Sequence, residues 1–299
     1  MIDYTTEPLH KIKAGDKELS SFITSHDNNI DEITVQSFGE EWERFNDFSS
    51  EELESIGNEY FDIVSDEHIS AQSNVLDVGC GSGRWTKFIS SKVKFVEAID
   101  PSSAVIQAAK MNDKVNNVRV TQASVENIPF GDNSFDFVFS LGVLHHIPDT
   151  QSAMNACVRK LKPGGYFLVY LYYNLDNRGF LFRFLFQLAN GLRSFISKMP
   201  AKLKAVVCDI IATLIYFPFA KFALAIKKIA PKSYAKIPLS YYHDKSFYVM
   251  RNDSLDRFGT PLEQRFTKEQ IHQMMINAGL VNIQFSDNAP FWHAIGRKR

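Results

Sequence analysis

A glycine-rich turn directly after a short apolar run constrains the fold of this chain more than any other feature. The run VLDVG, which begins at Val75, is followed by CGSG (80–83) and then by the helical stretch RWTKFISS. Glycines at positions 79, 81 and 83 allow the backbone to approach a ligand closely. In open parallel sheets, ligands bind beyond the carboxyl ends of the strands, where such turns lie. The turn therefore indicates an α/β domain with a ligand site after its first core strand.

Short apolar runs and helical stretches alternate after this turn. The strand-like runs are VKFVEAID, VRVTQAS, SFDFVFSL and GYFLVYLYY, and helical patterns such as SSAVIQAAK and TQSAMNACVRKL separate them. Apolar strands alternating with helices predict a parallel sheet covered on both faces. Two final runs, VNIQFSDN and PFWHAIGRK, are joined by a short connection around 288–290 and predict an antiparallel hairpin at the sheet edge. The predicted fold is an α/β, doubly wound, mostly parallel seven-stranded sheet.

The patterns divide the chain into four parts. Residues 1–70 form a helical N-terminal arm whose polar first part, about 30 residues, we expect to be loosely ordered. Residues 71–175 form the ligand-binding core, and 176–240 form a basic, aromatic helical insertion after the fifth strand. Residues 241–299 complete the core sheet. At 299 residues the chain is long enough for one α/β core with such an insertion.

Helix start signals support these boundaries. Ser49 or Ser50 precedes a Glu-rich first turn, and Thr267 with Gln270 has the spacing of a capping box. Aromatic side chains of the arm either close over the ligand or pack on the sheet, and they are Phe38, Trp42 and Phe45.

The ligand predicted by the turn is an adenosine cofactor other than a dinucleotide. The spacing Gly79-x-Gly81-x-Gly83 differs from the G-x-G-x-x-G pattern, whose third glycine packs a helix below a pyrophosphate. Asp100 ends the second core strand, where a carboxylate accepts hydrogen bonds from both ribose hydroxyls and repels a 2′-phosphate. NADP is therefore disfavoured.

Five ordered segments resemble one known family. They are LDVGCGSGR, the acid of AID, VENIPFGDNSFDFVFS, GVLHHIPD and LKPGGYFLV, between about Val75 and Tyr172. In this order and spacing they resemble the class I S-adenosylmethionine-dependent methyltransferases, in particular the ubiquinone/menaquinone-type branch (methyltransferase type 11). The resemblance implies a Rossmann-like fold and S-adenosyl-L-methionine as cofactor.

The resemblance also assigns cofactor contacts to positions of this chain. Residues at the glycine loop surround the methionine part, Asp100 holds the ribose, and Leu141 with Gly142 lines the far side near the methyl group. Family members often carry Asp at the position of Ser124, so Ser124 is a departure, and the adenine contact falls to the Val125 backbone. The candidate cofactor-binding residues are Asp77, Gly79, Cys80, Gly81, Gly83, Asp100, Pro101, Ser124, Val125 and Leu141. Cys80 is expected to be a packing residue there rather than a nucleophile, because nothing near it in sequence would lower a thiol pKa.

Methyl transfer depends mainly on alignment, and a hydroxyl or acidic-carbon acceptor also benefits from a general base. A neutral histidine is the usual base near neutral pH, and the candidates are His145, His146 and His243. We expect one of the adjacent pair to pack and the other, His146, to face the acceptor. The candidate substrate-positioning residues follow the fifth strand or the insertion, and they are Tyr172, Tyr173, Asn174 and Tyr241.

The insertion carries a charge that the net charge of −1 conceals. Residues 176–240 hold 11 Lys/Arg against 2 acids, whereas the rest of the chain holds 22 basic and 32 acidic residues. Helices with aromatic and basic faces suit an anionic membrane surface or a hydrophobic acceptor, so 178–236 is either a substrate cap or a peripheral membrane contact. A transmembrane segment is not expected, because the best apolar run has 11 residues and contains Pro218. A nucleic-acid partner is not expected, because no RNA-binding module accompanies the charge.

Three widely spaced cysteines without CxxC pairing predict neither a disulfide framework nor a metal site. With no apolar N-terminal segment, the chain is expected in the cytoplasm, with peripheral contact at the inner face of the membrane as an option.

The predicted function is methylation, by O-transfer, of a bulky or apolar small molecule such as a quinone-like, lipid-linked or natural-product intermediate. A sugar acceptor is the alternative, because SFGEEWERF and DRFGTPLEQRFT resemble methyltransferases encoded near surface-glycan genes. A non-catalytic membrane-associated binding protein is the alternative of another class.

Overall fold

The computed structural model describes residues 1–24, 27–44, 49–175, 179–231, 233–234 and 237–299. The predicted role of Phe45 lies outside these residues, and so do residues 176–178 and 235–236 at the ends of the predicted insertion.

The chain divides into two compact units. The first comprises Met1–Asp176 and Leu262–Arg299, and the second comprises Asn177–Pro261. Residues 241–261, which sequence analysis assigned to completion of the core sheet, thus belong to the second unit. The reason is helix packing, because the helix that these residues form contacts the helices of the insertion.

The first unit contains one sheet of nine strands. The strands are β1 (His10–Ala14), β2 (Lys17–Ser21), β3 (Asn74–Val78), β4 (Phe95–Asp100), β5 (Val118–Gln122), β6 (Phe135–Leu141), β7 (Leu161–Tyr170), β8 (Leu280–Phe285) and β9 (His293–Lys298). Their order is β1-β2-β5-β4-β3-β6-β7-β9-β8, with β5, β4, β3, β6 and β7 parallel. Strand β9 pairs antiparallel with both β7 and β8, so the predicted C-terminal hairpin is present. The Rossmann-like, mostly parallel sheet is confirmed, although its strand count is nine and not seven.

The two additional strands form a hairpin in the N-terminal arm. Sequence analysis predicted this segment to be loosely ordered, and that prediction was wrong. The helices that it predicted for the later part of the arm are present, at Glu32–Arg44 and Ser50–Tyr60. Gly15 and Asp16 make a two-residue turn with Gly15 at φ +65°, a conformation that glycine adopts without strain. Ala14 and Leu19 are buried, and β2 extends the sheet beside β5 through the pairing of Ser21 with Gln122. The burial of alternate residues compensates for the polar composition of this segment.

Helices cover the sheet of the first unit and complete its core. They are α1 (Glu32–Arg44), α2 (Ser50–Tyr60), α3 (Arg84–Ser90), α4 (Val105–Met111), α5 (Thr150–Lys160) and, after the second unit, α10 (Lys268–Asn277). Both predicted caps are present: Ser49 forms a capping box with Glu52, and Thr267 forms one with Gln270. The core consists of apolar strand residues and the inner faces of α5 and α10.

The second unit is helical. Its main helices are α6 (Phe180–Ile196), α7 (Ala201–Ile211), α8 (Phe217–Ile229) and α9 (Phe247–Gly259), and a π-helical turn at Ala212–Tyr216 joins α7 to α8 without a break. We call the continuous helix Ala201–Ile229 the long helix. Its 29 residues are long and apolar enough to cross a membrane by length and composition alone, and 28% of its most apolar stretch is buried within the chain.

The long helix overturns the premise on which sequence analysis excluded a spanning segment. A proline inside an α-helix clashes with the carbonyl four residues earlier, and it was expected to interrupt the apolar run. Pro218 instead lies in the first turn of α8, separated by one residue from the wider π-helical turn, and the helix stays continuous there.

Candidate active site

The glycine loop joins β3 to α3 and is held against the end of β4. The backbone N–H groups of Gly79 and Cys80 both donate to the Ile99 carbonyl, at 2.8 and 2.9 Å. Gly83 precedes α3 at φ +80°, and a Cβ there would lie 2.9 Å from the Cα of Ala108. Glycine at this position therefore permits both the backbone conformation and the close approach of α4.

Asp100, the last residue of β4, accepts hydrogen bonds on both carboxylate oxygens. Oδ2 accepts from the Gly81 N–H at 3.0 Å, and Oδ1 accepts from the N–H and the hydroxyl of Ser102 at 2.9 and 2.6 Å. Burial raises the pKa of Asp100, against the lowering effect of these bonds. Since a carboxylate oxygen has two lone pairs, Oδ2 retains capacity for one further donor. The geometry thus has room for one ribose hydroxyl on this carboxylate, where the sequence predicted two.

Asp77 lies inside β3 and faces Thr86. Its side chain accepts a hydrogen bond from the Thr86 hydroxyl at 2.6 Å, and the residue is 1% exposed. Burial raises the pKa of Asp77 to about 7, and the nearby charge of Asp100 adds to that rise. A cation bound in the loop would stabilise the ionised form of both acids.

Two residues of the glycine loop differ in what they offer a ligand. The Ser82 hydroxyl is buried and has no hydrogen-bond partner among the residues that the structure describes. An orphaned hydroxyl of this kind fits a polar group of a ligand held in the loop. The Cys80 thiol is also buried, and burial raises its pKa well above the ordinary value, which supports a packing role rather than a nucleophilic one.

Helix α1 lies over this loop. A Cβ on Gly81 would come within 2.9 Å of Nε1 of Trp42, so the indole contacts the glycine backbone. The guanidinium of Arg84 lies 4.9 Å from the centre of the Trp42 ring and 4.5 Å from that of Trp85. Of the two roles considered for the arm aromatics, this contact supports closure over the ligand loop for Trp42.

The remaining cofactor candidates lie around the same strand ends. The Ser124 hydroxyl accepts from the Asn127 N–H at 3.2 Å, so it caps a turn, and Val125 is buried beside it. The Pro101 carbonyl accepts from the Gln122 amide at 3.1 Å. Leu141 ends β6 and is buried.

His145 and His146 follow β6 in a short 3-10 turn and hold opposite tautomers. Nδ1 of His146 lies 2.6 Å from the Leu262 carbonyl, which only accepts, so this nitrogen carries a proton. Nδ1 of His145 accepts from the backbone N–H of Tyr172 at 3.3 Å, so its proton in the neutral ring is on Nε2. Burial lowers the pKa of His145 well below its ordinary value, and His146 and Arg265 lower it further. His145 is therefore a neutral packing group and a poor base, whereas neutral His146 carries its lone pair on Nε2.

The positioning candidates after β7 point in different directions. Tyr172 stacks on His145 with ring centres 3.8 Å apart and meets His146 edge-on at 5.6 Å. Tyr173 packs on Phe291 at 5.7 Å, within the core. The Asn174 N–H donates to a backbone carbonyl at 2.9 Å, and the residue is exposed. Tyr172 alone of these three contacts the histidine pair.

Segment 262–266, to which sequence analysis gave no site role, lies against the histidines. Its Gln264 N–H donates to the His145 carbonyl at 2.9 Å, and its Leu262 carbonyl fixes the His146 ring. The Arg265 guanidinium lies 5.0 Å from the centre of the Tyr172 ring and pairs with the buried carboxylate of Glu263 at 2.8 Å. The only sequence signal was the charged PLEQRF stretch, which has neither helical nor strand periodicity.

The last two candidates belong to the second unit. Nδ1 of His243 lies 2.9 Å from the Ser240 carbonyl, and its Nε2 lies 2.6 Å from Nζ of Lys227. The Tyr241 ring packs on Tyr242 at 5.2 Å and lies under the ammonium of Lys245 at 5.1 Å. Both nitrogens of His243 are thus engaged by residues of its own unit, which weighs against a role as base.

The fold and this site are typical of one class of protein, the Rossmann-like domains that bind an adenosine cofactor at a glycine loop and a terminal strand acid. Residues 76–169 match the family model described as "Methyltransferase domain". The chain is 32% identical over 134 residues to a demethylmenaquinone methyltransferase from Staphylococcus haemolyticus, covering 44% of this chain and 55% of the relative. It is 36% identical over 114 residues to a ubiquinone biosynthesis O-methyltransferase from Alkalilimnicola ehrlichii, covering 37% and 46%. The chain thus spans about half the length of these relatives. A solved S-adenosylmethionine-dependent methyltransferase from Aquifex aeolicus aligns at 15% identity over 84% of this chain and 98% of that one, with a TM-score of 0.46.

The chain carries a class I S-adenosylmethionine-dependent methyltransferase domain of the type found in these quinone-pathway relatives, and its cofactor is S-adenosylmethionine. The residues present fit this cofactor. Asp100 has room to accept a ribose hydroxyl, the orphaned Ser82 hydroxyl suits the polar methionine part, and the buried acids favour a positively charged ligand.

Proposed function

We propose that this protein transfers the methyl group of S-adenosylmethionine to an oxygen of a bulky, apolar small molecule, of which a quinone-like ring is the best example. The support is the fixed tautomer of His146. A carbonyl that holds Nδ1–H leaves Nε2 as the basic atom, the arrangement required of a general base. Reaction at oxygen requires the loss of a proton, and His146 provides the acceptor for it.

The surroundings of His146 support an aromatic acceptor. Phe38 of α1 lies 4.8 Å from the His146 ring centre, and Tyr172 lies on another side at 5.6 Å. Tyr170 meets Tyr60 edge-on at 5.2 Å and lies 5.8 Å from Tyr172. Aromatic walls of this kind suit a flat ring and exclude water. The names of the curated relatives point to the same class of acceptor.

The role of each group follows from this arrangement. S-adenosylmethionine, when bound, supplies a methyl group on a positively charged sulfur and leaves as S-adenosylhomocysteine. Nε2 of His146 takes the proton of the acceptor hydroxyl as that oxygen forms its bond to the methyl carbon. Asp100 and the glycine loop hold the nucleoside, and the aromatic side chains orient the acceptor ring, so alignment supplies much of the rate.

The test is methyl transfer from labelled cofactor to a series of hydroxylated quinones and phenols, with His146→Gln as the variant. We expect turnover to fall by about a hundredfold or more, because a general base contributes ~10²–10⁴-fold. Binding of S-adenosylhomocysteine should not change. His272→Gln, an exposed histidine on α10, is the matched control and should retain full activity.

Two outcomes would contradict the proposal. Unchanged turnover in His146→Gln would remove the general base, and methylation of nucleotide sugars but of no phenol or quinone would favour the surface-glycan alternative. Turnover of any acceptor would exclude the non-catalytic alternative.

We include in the proposal a cytoplasmic location with contact to the inner membrane face, where apolar acceptors partition.

A further inference from the structure

The second unit exposes an apolar surface that a water-soluble monomer rarely shows. On α6, large apolar residues recur every three or four positions and are between 46% and 79% exposed: Phe180, Phe184, Leu188, Leu192 and Phe195. On the long helix a second exposed stripe comprises Leu203, Val206, Ile210, Leu214 and Phe217. Spacings of three and four residues place each set on one face of its helix. Exposed apolar patches of this extent mark interaction surfaces. We call these two sets the apolar stripes.

The opposite side of the long helix is fixed to α9. The Arg251 guanidinium pairs with the Asp209 carboxylate through two hydrogen bonds of 2.9 Å. The Lys204 ammonium donates to the Gly259 carbonyl at 3.1 Å, and the Ser254 hydroxyl donates to the Cys208 carbonyl at 2.8 Å. The long helix therefore has a polar, buried side within the unit and an apolar side facing outward.

The charges around the apolar stripes are almost all positive. Exposed basic side chains lie on the same helices or at their ends: Arg183, Lys198, Lys202, Lys221 and Lys228. Between residues 180 and 229 the one acid in the sequence is Asp209, which is paired with Arg251. A second copy of this surface would bring like charges together, whereas an anionic lipid surface would neutralise them.

We propose that the apolar stripes of α6 and the long helix insert into the surface of an anionic bilayer, with the flanking lysines and arginines on the lipid headgroups. The long helix lies along the membrane and does not cross it. A spanning helix would have to move Lys204 and Asp209 into hydrocarbon without their partners on α9, and charged groups at that depth are costly. This inference deepens the membrane contact included in the proposed function, and it depends on neither cofactor nor acceptor.

The experiment is flotation of the full-length protein with vesicles of equimolar phosphatidylcholine and phosphatidylglycerol, compared with phosphatidylcholine alone. We expect binding to the anionic vesicles, weakened by salt. Ile210→Glu places a charge in an apolar stripe and should lower partitioning by at least about tenfold. Ile276→Glu is the matched control, because Ile276 is 41% exposed on α10 of the first unit, close to the 51% exposure of Ile210. Ile276→Glu should partition like the wild type.

A second pair of variants tests the charge. Lys221→Gln should weaken binding to anionic vesicles by about fivefold, since each basic residue near such a surface contributes ~1 kcal/mol. Lys110→Gln, an exposed lysine of α4, should not weaken it. Binding of S-adenosylhomocysteine by all four variants, at wild-type affinity, verifies that the first unit is folded.

Several results would overturn the inference. Absence of anionic-vesicle binding at low salt would do so, as would equal binding to vesicles with and without phosphatidylglycerol. A stable dimer that Ile210→Glu converts to monomer, with no vesicle binding, would identify a second copy as the occupant. Resistance of the membrane-bound protein to alkaline carbonate would indicate a spanning helix. Lack of methyl transfer would affect the proposed function and leave this inference intact.

Discussion

Asp77→Asn should make the stability of the first unit less dependent on pH. The carboxyl is 1% exposed, and burial raises its pKa from 3.8 to about 7. Between these values the folded protein binds a proton that the unfolded chain lacks, so the free energy of unfolding falls as the pH rises. One pKa unit corresponds to about 1.4 kcal/mol, so the loss from about pH 5 to about pH 8, where the folded carboxyl is mostly ionised, is about 3 kcal/mol. Above about pH 8 the contribution is constant.

Asparagine removes this titration and keeps an oxygen for the Thr86 hydroxyl, which donates to Asp77 at 2.6 Å. Near pH 5 the wild-type carboxyl is mostly neutral when folded, so the two proteins should be similarly stable. Near pH 8 the free energy of unfolding of the variant should exceed that of the wild type by about 3 kcal/mol more than it does near pH 5.

Urea unfolding followed by tryptophan fluorescence measures this effect on the stability of the first unit. All three tryptophans of the chain, at positions 42, 85 and 292, lie in the first unit. Asp16→Asn is the control, because Asp16 is exposed in the hairpin turn. An Asp77→Asn difference that is the same at both pH values would refute the reasoning, since a buried carboxylate would then carry no cost.

Two further predictions concern the cofactor loop. Asp100→Asn removes a charged hydrogen-bond acceptor and places an amide N–H group against a donor, at either Gly81 or Ser102. The affinity for S-adenosylhomocysteine should therefore fall by between about tenfold and a hundredfold. Calorimetry checks this against Asp113→Asn, an exposed control that should bind normally. Gly83→Ala should destabilise the first unit by about 2 kcal/mol or more, because strain at φ +80° is combined with a Cβ 2.9 Å from Ala108. Gly15→Ala shares a positive φ of +65° but has open space, so urea unfolding should show a smaller loss of about 1 kcal/mol; equal losses would contradict the packing argument.

The core was predictable because its signals are local. Each strand is an apolar run of a few residues, and the two capping boxes are patterns of four residues. The proximity of Asp100 to the glycine loop was also predictable, because parallel strands place their carboxyl ends at one edge of the sheet.

The N-terminal hairpin also had a local signal, the Gly15-Asp16 turn between alternating residues. The polar composition outweighed that signal in the prediction. Pairing with β5 makes β2 part of the sheet despite its polar composition, because an edge strand needs only one buried face.

Segment 262–266 could not be predicted, because its role depends on contacts far away in sequence. The bond from His146 to Leu262 spans 116 residues, and no periodicity announces it. Its consequence is chemical, since this carbonyl sets which nitrogen of His146 is basic. The sequence could name the histidine pair, but only the fold distinguishes its members.

The electrostatics of the loop give a physical reason for the choice of cofactor that the glycine spacing alone does not. Asp77 and Asp100 are both buried, burial raises both pKa values, and the charge of Asp100 raises that of Asp77 further. A dinucleotide would bring an anionic pyrophosphate to the turn beside these acids and add to that cost. S-adenosylmethionine instead carries a sulfonium and an amino group against one carboxylate, so its net charge is positive and we expect its binding to offset the burial of the two acids. We therefore expect the acids that destabilise the ligand-free domain to favour the cationic cofactor over a dinucleotide.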